Sequence, residues 1–211
     1  IGNGSSIAMA TGSLTTALSG LAANDLVALR AGDSFEHVGP ALVVDRTDLR
    51  LQGGYVECSP KRWVRDATLR ATMCKTSDAE LNLLSLPGTL LAPLRNLTLK
   101  GLTLAGYVPT GSELIDATFV PNLATDGLTL ELTGAGANGA ITGLRITSSA
   151  GLQLVNIALP THATRSNLEV VRLEQSGGNV RGLSIGTIND GYQVRGLVVV
   201  SLKDGSGSAR L

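Results

Sequence analysis

The stretch Asn96-Leu97-Thr98-Leu99-Lys100-Gly101-Leu102-Thr103-Leu104 contains one short pattern twice, a Gly or Asn followed by Leu-x-Leu. Strict alternation of apolar and polar residues is typical of a β-strand that buries one face. Each copy is therefore predicted to be a strand of roughly three to five residues. The Gly or Asn before it supplies the backbone conformation that turns the chain.

The same pattern recurs along most of the chain. A Gly or Asn stands directly before the first Leu of eight short runs: Asn96, Gly101, Gly127, Gly143, Gly151, Asn167, Gly182 and Gly196. Many of the intervals between equivalent positions, such as Gly101 to Gly127, Gly127 to Gly151, Gly143 to Asn167 and Asn167 to Gly196, lie in the twenties. Such a period, with two or three strands per turn, predicts an all-β fold, a parallel β-helix whose coils stack about 4.8 Å apart.

The composition fits a narrow aliphatic core. Of the 211 residues, 43% are hydrophobic, yet only one Trp, three Tyr and two Phe are present, alongside 26 Gly. The 17 basic and 17 acidic residues balance, so no net field favours nucleic acid, and no apolar run is long enough for a membrane span.

Two other folds compete with the β-helix. A β-sandwich also has many short alternating strands, but it does not explain a Gly/Asn-Leu-x-Leu unit that recurs from Asn96 to Gly196. A leucine-rich repeat needs an LxxLxLxxN pattern in each unit, which this chain approaches only at Leu94–Leu99.

A short helix is predicted before the first strand. Between Ser13 and Ala23, Leu14, Leu18 and Leu21 recur at helical spacing, and Thr11 or Ser13 can cap the start. We therefore divide the chain into an N-terminal segment with a capping helix, residues 1–25, and a single β-helix domain, residues 26–211.

The part of the chain before Val56 carries a family resemblance in three stretches: Leu14-Thr15-Thr16-Ala17-Leu18-Ser19-Gly20-Leu21, Asp25-Leu26-Val27-Ala28-Leu29-Arg30-Ala31-Gly32-Asp33-Ser34-Phe35 and Leu49-Arg50-Leu51-Gln52-Gly53-Gly54-Tyr55. They resemble the opening of right-handed parallel β-helix proteins of the pectate-lyase-like superfamily. The resemblance implies a right-handed β-solenoid of a secreted bacterial or phage surface protein. It implies no particular chemistry, because the superfamily includes polysaccharide lyases, tailspikes and autotransporter passengers.

The two cysteines, Cys58 and Cys74, lie in a turn-rich, charged loop region near 55–75. This is a poor setting for a buried thiol, so we predict a disulfide and an oxidising compartment. Two unpaired cysteines that pack as small hydrophobes are the alternative. The spacing of Cys and His gives no metal site.

Four arginines are candidates for an outward-facing group: Arg145, Arg172, Arg181 and Arg195. Arg145, Arg172 and Arg195 recur at intervals in the twenties, which predicts a ladder of arginines on successive coils. A lyase or glycosidase would also need clustered acids. None is evident, because Asp116, Asp126 and Asp190 read as isolated loop residues, while Glu131, Glu169 and Glu174 fall singly on strands. We predict no catalytic, cofactor-binding or metal-binding residues.

The sequence therefore favours an extracellular structural or adhesive protein, a fibre, stalk or passenger-type domain at the cell surface, without catalysis. A polysaccharide lyase or glycosidase, such as a phage tailspike, is the alternative. The apolar run Leu197–Leu202 is followed by a polar segment with no amphipathic cap. We expect the last coil to stack on copies of the chain, end to end or in a trimer, or on a further domain. Polysaccharide is a second expected partner.

Overall fold

Short runs of alternating apolar and polar residues become strands throughout the chain. The computed structural model describes residues 14–59, 62–75, 82–133, 135–162, 165–188 and 193–201. Its elements are α1 (Leu14–Ser19), β1 (Leu26–Arg30), β2 (Ser34–His37), β3 (Leu42–Val43), β4 (Arg50–Ser59), β5 (Arg62–Arg65), β6 (Ala71–Lys75), β7 (Leu84–Pro87), β8 (Thr98–Tyr107), β9 (Glu113–Thr118), β10 (Ala124–Thr133), β11 (Ala135–Thr147), β12 (Leu152–His162), β13 (Arg165–Glu174), β14 (Gly178–Arg181), β15 (Ser184–Ile188) and β16 (Val194–Ser201).

The strands form two sheets by pairing with the strand one turn further along the chain. Sheet A contains ten strands, with β1, β4, β8, β10, β12 and β14 in order and β2, β6, β5 and β15 beside them. Sheet B contains six, in the order β3, β7, β9, β11, β13 and β16. All described pairs are parallel except β4 with β5. The fold is a parallel β-solenoid of about five turns, which confirms the predicted fold class.

The core consists of inward columns that run from coil to coil. One column on sheet B contains Leu42, Leu84, Ile115, Leu144, Val171 and Leu197. Its members from Leu42 to Val171 are buried. Each coil therefore covers the apolar side chains of its neighbours, which is the main stabilising term of a solenoid.

One edge of the coil is a glycine corner, made by Gly53, Gly101, Gly127 and Gly182, with Asn156 at the equivalent place in the fifth coil. The backbone of Gly101 has a φ of 60° and that of Gly127 a φ of 69°, in the left-handed region that favours glycine. A side chain at Gly101 would also meet the Gly53 carbonyl of the previous coil. The corner is therefore smooth and narrow.

The opposite end of sheet A carries a ladder of polar side chains. Asp48, Asn96 and Asn122 all have positive φ, and the Asn96 amide donates to Asp48 Oδ1 at 2.6 Å while the Asn122 amide donates to Asn96 Oδ1 at 3.0 Å. In the next coil Gly151 takes this place. Side-chain hydrogen bonds therefore hold the turns of neighbouring coils in register.

The expectation that the Gly/Asn positions of the repeat are all equivalent is wrong, because the coils differ in length. One inward column contains Val27, Leu51, Leu99, Thr125, Leu154 and Val180. The coil from Leu51 to Leu99 is twice as long as the coil from Val27 to Leu51. Gly101 and Gly127 share a corner as their spacing predicts, but Gly127 is followed by Asn156 and not by Gly151. The eight Gly/Asn positions therefore fall at several different corners of the coil and not at one.

The predicted N-terminal helix is present but shorter than the span from Ser13 to Ala23. It ends at Ser19, and the chain turns at Gly20. Leu14, Leu18 and Leu21 are buried against the first coil, so the helical apolar face packs as the sequence predicts.

The second coil is long because a hairpin interrupts it. The chain leaves the coil after Tyr55, runs out along β4, returns along β5 and re-enters at Ala71, where β6 begins. The returning backbone is attached by a hydrogen bond from the Asp66 amide to the Gly54 carbonyl, 2.8 Å.

Candidate functional site

Charged side chains gather on the outward face of sheet B. Asp116, Arg145 and Arg172 lie side by side on β9, β11 and β13, because these strands pair in register. In a neighbouring column Glu169 on β13 lies beside Arg195 on β16. Parallel strands bring residues about 4.8 Å apart, so side chains far apart in sequence reach one another.

Six residues of this face form a continuous ion-pair chain across four coils: Glu113, Arg145, Glu174, Arg172, Glu169 and Arg195. The short contacts are Arg172 Nε to Glu174 Oε1 at 2.6 Å, Arg172 Nη1 to Glu169 Oε2 at 2.9 Å, and Arg145 Nη2 to Glu174 Oε2 at 3.1 Å. Glu113 with Arg145 at 3.7 Å and Arg195 with Glu169 at 3.8 Å extend the chain at its two ends.

Glu174 is the centre of this ion-pair chain. It accepts from both Arg172 and Arg145, and the hydrogen bond from Arg172 is the largest cause of a lowered pKa for its carboxyl. The hydrogen bond to Glu174 likewise raises the pKa of Arg172. The lowered pKa favours the ionised form of Glu174, whose carboxylate contacts arginines of two coils.

Glu113 and Asp116 have pKa values shifted the other way. Burial is the largest cause of the raised pKa at both carboxyls, and it outweighs the favourable charge of Arg145. Neighbouring acids add to the rise, Asp116 for Glu113 and Glu174 for Asp116. Two carboxyls with raised pKa values thus lie beside one arginine.

The structure confirms part of the predicted arginine ladder. Arg145 and Arg172 are neighbours on successive coils. Arg195 is not the next rung, because Val198 pairs with Arg172 and Arg195 pairs with Glu169. Arg181 lies on β14 in sheet A, away from the ion-pair chain.

The expectation that acidic partners are missing is wrong. Asp116 lies on β9 and Asp126 on β10, so neither is a loop residue. Glu169 and Glu174 both lie on β13, and each contacts an arginine of a neighbouring coil, Arg195 and Arg145 respectively. Glu131 lies on β10 in sheet A, outside the ion-pair chain, and Asp190 lies outside the described residues.

Sequence reasoning does not single out Glu113. Its partner Arg145 lies one coil further on. The number of residues between them does not predict this contact unless the length of the coil is known. A local signal exists: Glu113 and Asp116 flank the apolar pair Leu114-Ile115, and both members of that pair are buried in the core. A buried apolar pair between two acids places both carboxyls on the same outward face.

Cys58 and Cys74 are free thiols in the structure, so the predicted disulfide is not formed there and stays a prediction about the oxidised protein. Cys58 is exposed near the end of β4, and Cys74 is half-buried on β6, where burial raises its thiol pKa. Within the described ranges, no three His, Cys, Asp or Glu side chains are grouped so as to hold a metal ion.

The fold defines the class of the protein, a parallel β-solenoid. No protein-family model, curated protein or solved structure matches the chain. Among the described residues no helix is both long and apolar enough to cross a membrane.

Proposed function

We propose that this chain is an extracellular structural or adhesive module, a fibre, stalk or passenger-type surface domain. We further propose that it is a right-handed β-helix of the pectate-lyase-like superfamily, secreted or displayed at the cell surface. The observation that carries the structural role is the ion-pair chain on sheet B, in which outward charges bind the charges of neighbouring coils.

The polar groups at the turns support the same role. Ser149 and Ser176 are buried at successive coils, where the Ser149 hydroxyl accepts from the Val120 amide at 2.7 Å and the Ser176 hydroxyl accepts from the Ser149 amide at 3.0 Å. Together with the ladder at Asp48, these bonds run parallel to the solenoid axis. Successive coils are thus attached by side chains as well as by backbone pairing.

The self-association expected from the sequence is supported by the last described coil. Val199 lies in the same inward column as the fully buried Leu173, yet it is 40% exposed, and Val200 is 55% exposed. In the described part of the chain, β16 pairs only with β13. A second copy that stacked here would bury this apolar surface and pair the open strand.

Sedimentation of the purified chain at micromolar concentration, together with electron microscopy, tests the self-association. We expect filaments or a defined oligomer. The substitution V200K, which places a charge on the exposed surface, should shift the distribution towards monomer, whereas V38K, at an exposed valine in the first coil, should not. A clean monomer at all concentrations contradicts this part of the proposal.

A polysaccharide lyase or glycosidase is the second candidate, and the raised pKa values of Glu113 and Asp116 beside Arg145 favour it. A carboxyl with a raised pKa can donate a proton to a leaving sugar oxygen, and an arginine can bind the acid group of a uronate.

This candidate predicts reducing sugars or unsaturated uronate products from acidic polysaccharides. The variant E113Q should abolish such release, while E131Q, at an exposed acid of sheet A, should keep it. If no acidic polysaccharide yields a product, this candidate is refuted and the structural role is the one that remains.

A further inference from the structure

Two arginines on the returning arm of the hairpin lie along the glycine corner of sheet A. Arg65 Nε donates to the Gly53 carbonyl at 3.2 Å, and Arg70 Nε donates to the Gly127 carbonyl at 3.2 Å. Arg70 leaves the second coil and reaches the fourth, so its side chain crosses the corner of the third. The two guanidinium groups are thus fixed one after the other along the solenoid axis.

The absence of side chains at the corner makes room for these groups. Arg65 Nη2 lies 2.8 Å from the place where a Cβ of Gly101 would stand, and Arg70 Nη2 lies 3.6 Å from the equivalent place at Gly127. Within the described ranges, the terminal nitrogens of both arginines have no hydrogen bond or ion pair. Each guanidinium is oriented by its Nε and keeps its outer nitrogens for another partner.

Two acids, Asp126 and Asp66, lie near this corner. Asp126 accepts from the Asn156 amide at 3.0 Å and pairs with Lys100 at 3.8 Å. Asp66 accepts from the backbone and hydroxyl of Thr68 at 2.8 and 2.6 Å. Among the described contacts neither carboxylate forms an ion pair with the Arg65 or Arg70 guanidinium, although, after the hydrogen bonds from Thr68, the charge of Arg65 is one of the smaller causes that lower the pKa of Asp66.

Further basic residues continue the line. Lys100 precedes the glycine of the third coil, and the exposed Arg181 precedes that of the last described coil, in the outward column beside the corner. Arg62 is exposed on β5 of the hairpin, and Trp63 beside it is half-buried. We call Arg65, Arg70 and Arg181 the basic corner, and we leave out Lys100 because Asp126 pairs with it.

We infer that the basic corner binds a linear anionic polysaccharide along the solenoid axis. Guanidinium groups bind carboxylate and sulfate through two parallel hydrogen bonds, and Arg65 and Arg70, held at the glycines of two successive coils, match a polymer whose acid groups also repeat. A single-stranded nucleic acid would need aromatic platforms for its bases, and among the described residues the corner offers only Trp63. The inference deepens the proposed adhesive role and rests on it.

The test is binding of alginate, which carries carboxylates, and of dextran sulfate, with neutral dextran as the blank. We expect the wild type to bind at least one of the two polyanions, with an affinity that falls as salt rises. Retention by alginate alone assigns the site to carboxylates, and retention by dextran sulfate alone assigns it to sulfates. The double variant R65Q/R70Q should lose about tenfold in affinity.

The matched control is R46Q/R95Q, which removes the same charge at the other end of sheet A. Arg46 Nε also donates to a backbone carbonyl, that of Leu21, at 3.2 Å. This control should stay within about twofold of wild type, and R65K/R70K should recover part of the binding, since it restores the charge. Circular dichroism of each variant checks the fold.

Three results would overturn the inference: no binding of either polyanion by the wild type, equal binding by R65Q/R70Q, or equally tight binding of a single-stranded DNA oligonucleotide. None of them bears on self-association, which is measured separately by sedimentation. Conversely, a monomeric protein that binds alginate through Arg65 and Arg70 would keep the site and refute the fibre.

Discussion

Glu174 shows how one carboxylate can join two coils. It contacts Arg145 of the preceding coil and Arg172 of its own strand, and only 21% of its side chain is exposed. Hydrogen bonds between charged groups are stronger than neutral ones, although solvent at the more exposed arginines weakens them.

We expect E174Q to lower the free energy of unfolding by about 1–2 kcal/mol, because both arginines lose their shared anion. Urea unfolding measures the change. The control E131Q removes an exposed acid of sheet A and should stay within about 0.5 kcal/mol of wild type. Equal effects of the two substitutions would mean that the ion-pair chain contributes no stability.

Gly151 is required by contact as well as by backbone conformation. Its φ is 69°, and a Cβ there would overlap Asn122 Oδ1, in the polar ladder. We expect G151A to cost about 2–3 kcal/mol, and G32A, where φ is 77° and nothing lies within 4 Å, to cost about 1 kcal/mol. Thermal or urea unfolding of both variants gives the difference. Equal costs would show that Asn122 moves aside for the added methyl group without loss of stability.

At the scale of elements, the strands of sheet B combine acids with opposite pKa shifts. Glu113 on β9 has a raised pKa, so its contribution to stability is present below the ordinary carboxyl value of 4.5 and is lost as pH rises through the folded pKa. Glu174 on β13 has a lowered pKa, so its contribution is present above 4.5 and is lost as pH falls through the folded pKa.

The double variant E113Q/D116N should therefore gain stability relative to wild type as pH rises from 4.5 to neutrality. The penalty of E174Q should instead shrink as pH falls below 4.5, where Glu174 of the wild type also loses its charge. Urea unfolding at several pH values checks both trends. A pH-independent difference between E113Q/D116N and wild type would show that neither acid is perturbed in the folded protein.

At the scale of the whole molecule, burial depends on having a coil on both sides. Val171 and Val199 both belong to inward columns of sheet B, on successive coils, but Val171 is fully buried while Val199 is 40% exposed. V171A should cost about 2 kcal/mol, since it removes two buried methyl groups and leaves a cavity. V199A should cost well under about 1 kcal/mol in dilute solution, because its site is already open to water.

The measurement is urea unfolding of V171A and V199A at a concentration where the protein is monomeric. If V199A is as costly as V171A there, the last described coil is covered by the chain itself, and no apolar surface is left for a second copy to cover. If V199A is mild in dilute solution and its cost grows with protein concentration, the stacked surface includes this valine.

The class of fold follows from the sequence alone, because alternation within a strand and the Gly or Asn before it are local properties. Leu97-Thr98-Leu99 and Leu102-Thr103-Leu104 lead into and form β8, and Leu14 and Leu18 form the helix over the first coil. The shortage of aromatic residues and the balance of charge need no coordinates either. These patterns hold because each strand buries its alternate side chains wherever it lies in the stack.

Which residues meet across coils depends on the tertiary structure. The coils differ by up to twofold in length because loops and the hairpin are unequal, so sequence spacing does not give the register. The ion-pair chain of Glu113, Arg145 and Glu174 and the basic corner of Arg65 and Arg70 both depend on that register. The physical reason is that backbone pairing between coils sets the partners of outward side chains, whereas the local pattern sets only which side of the strand they are on.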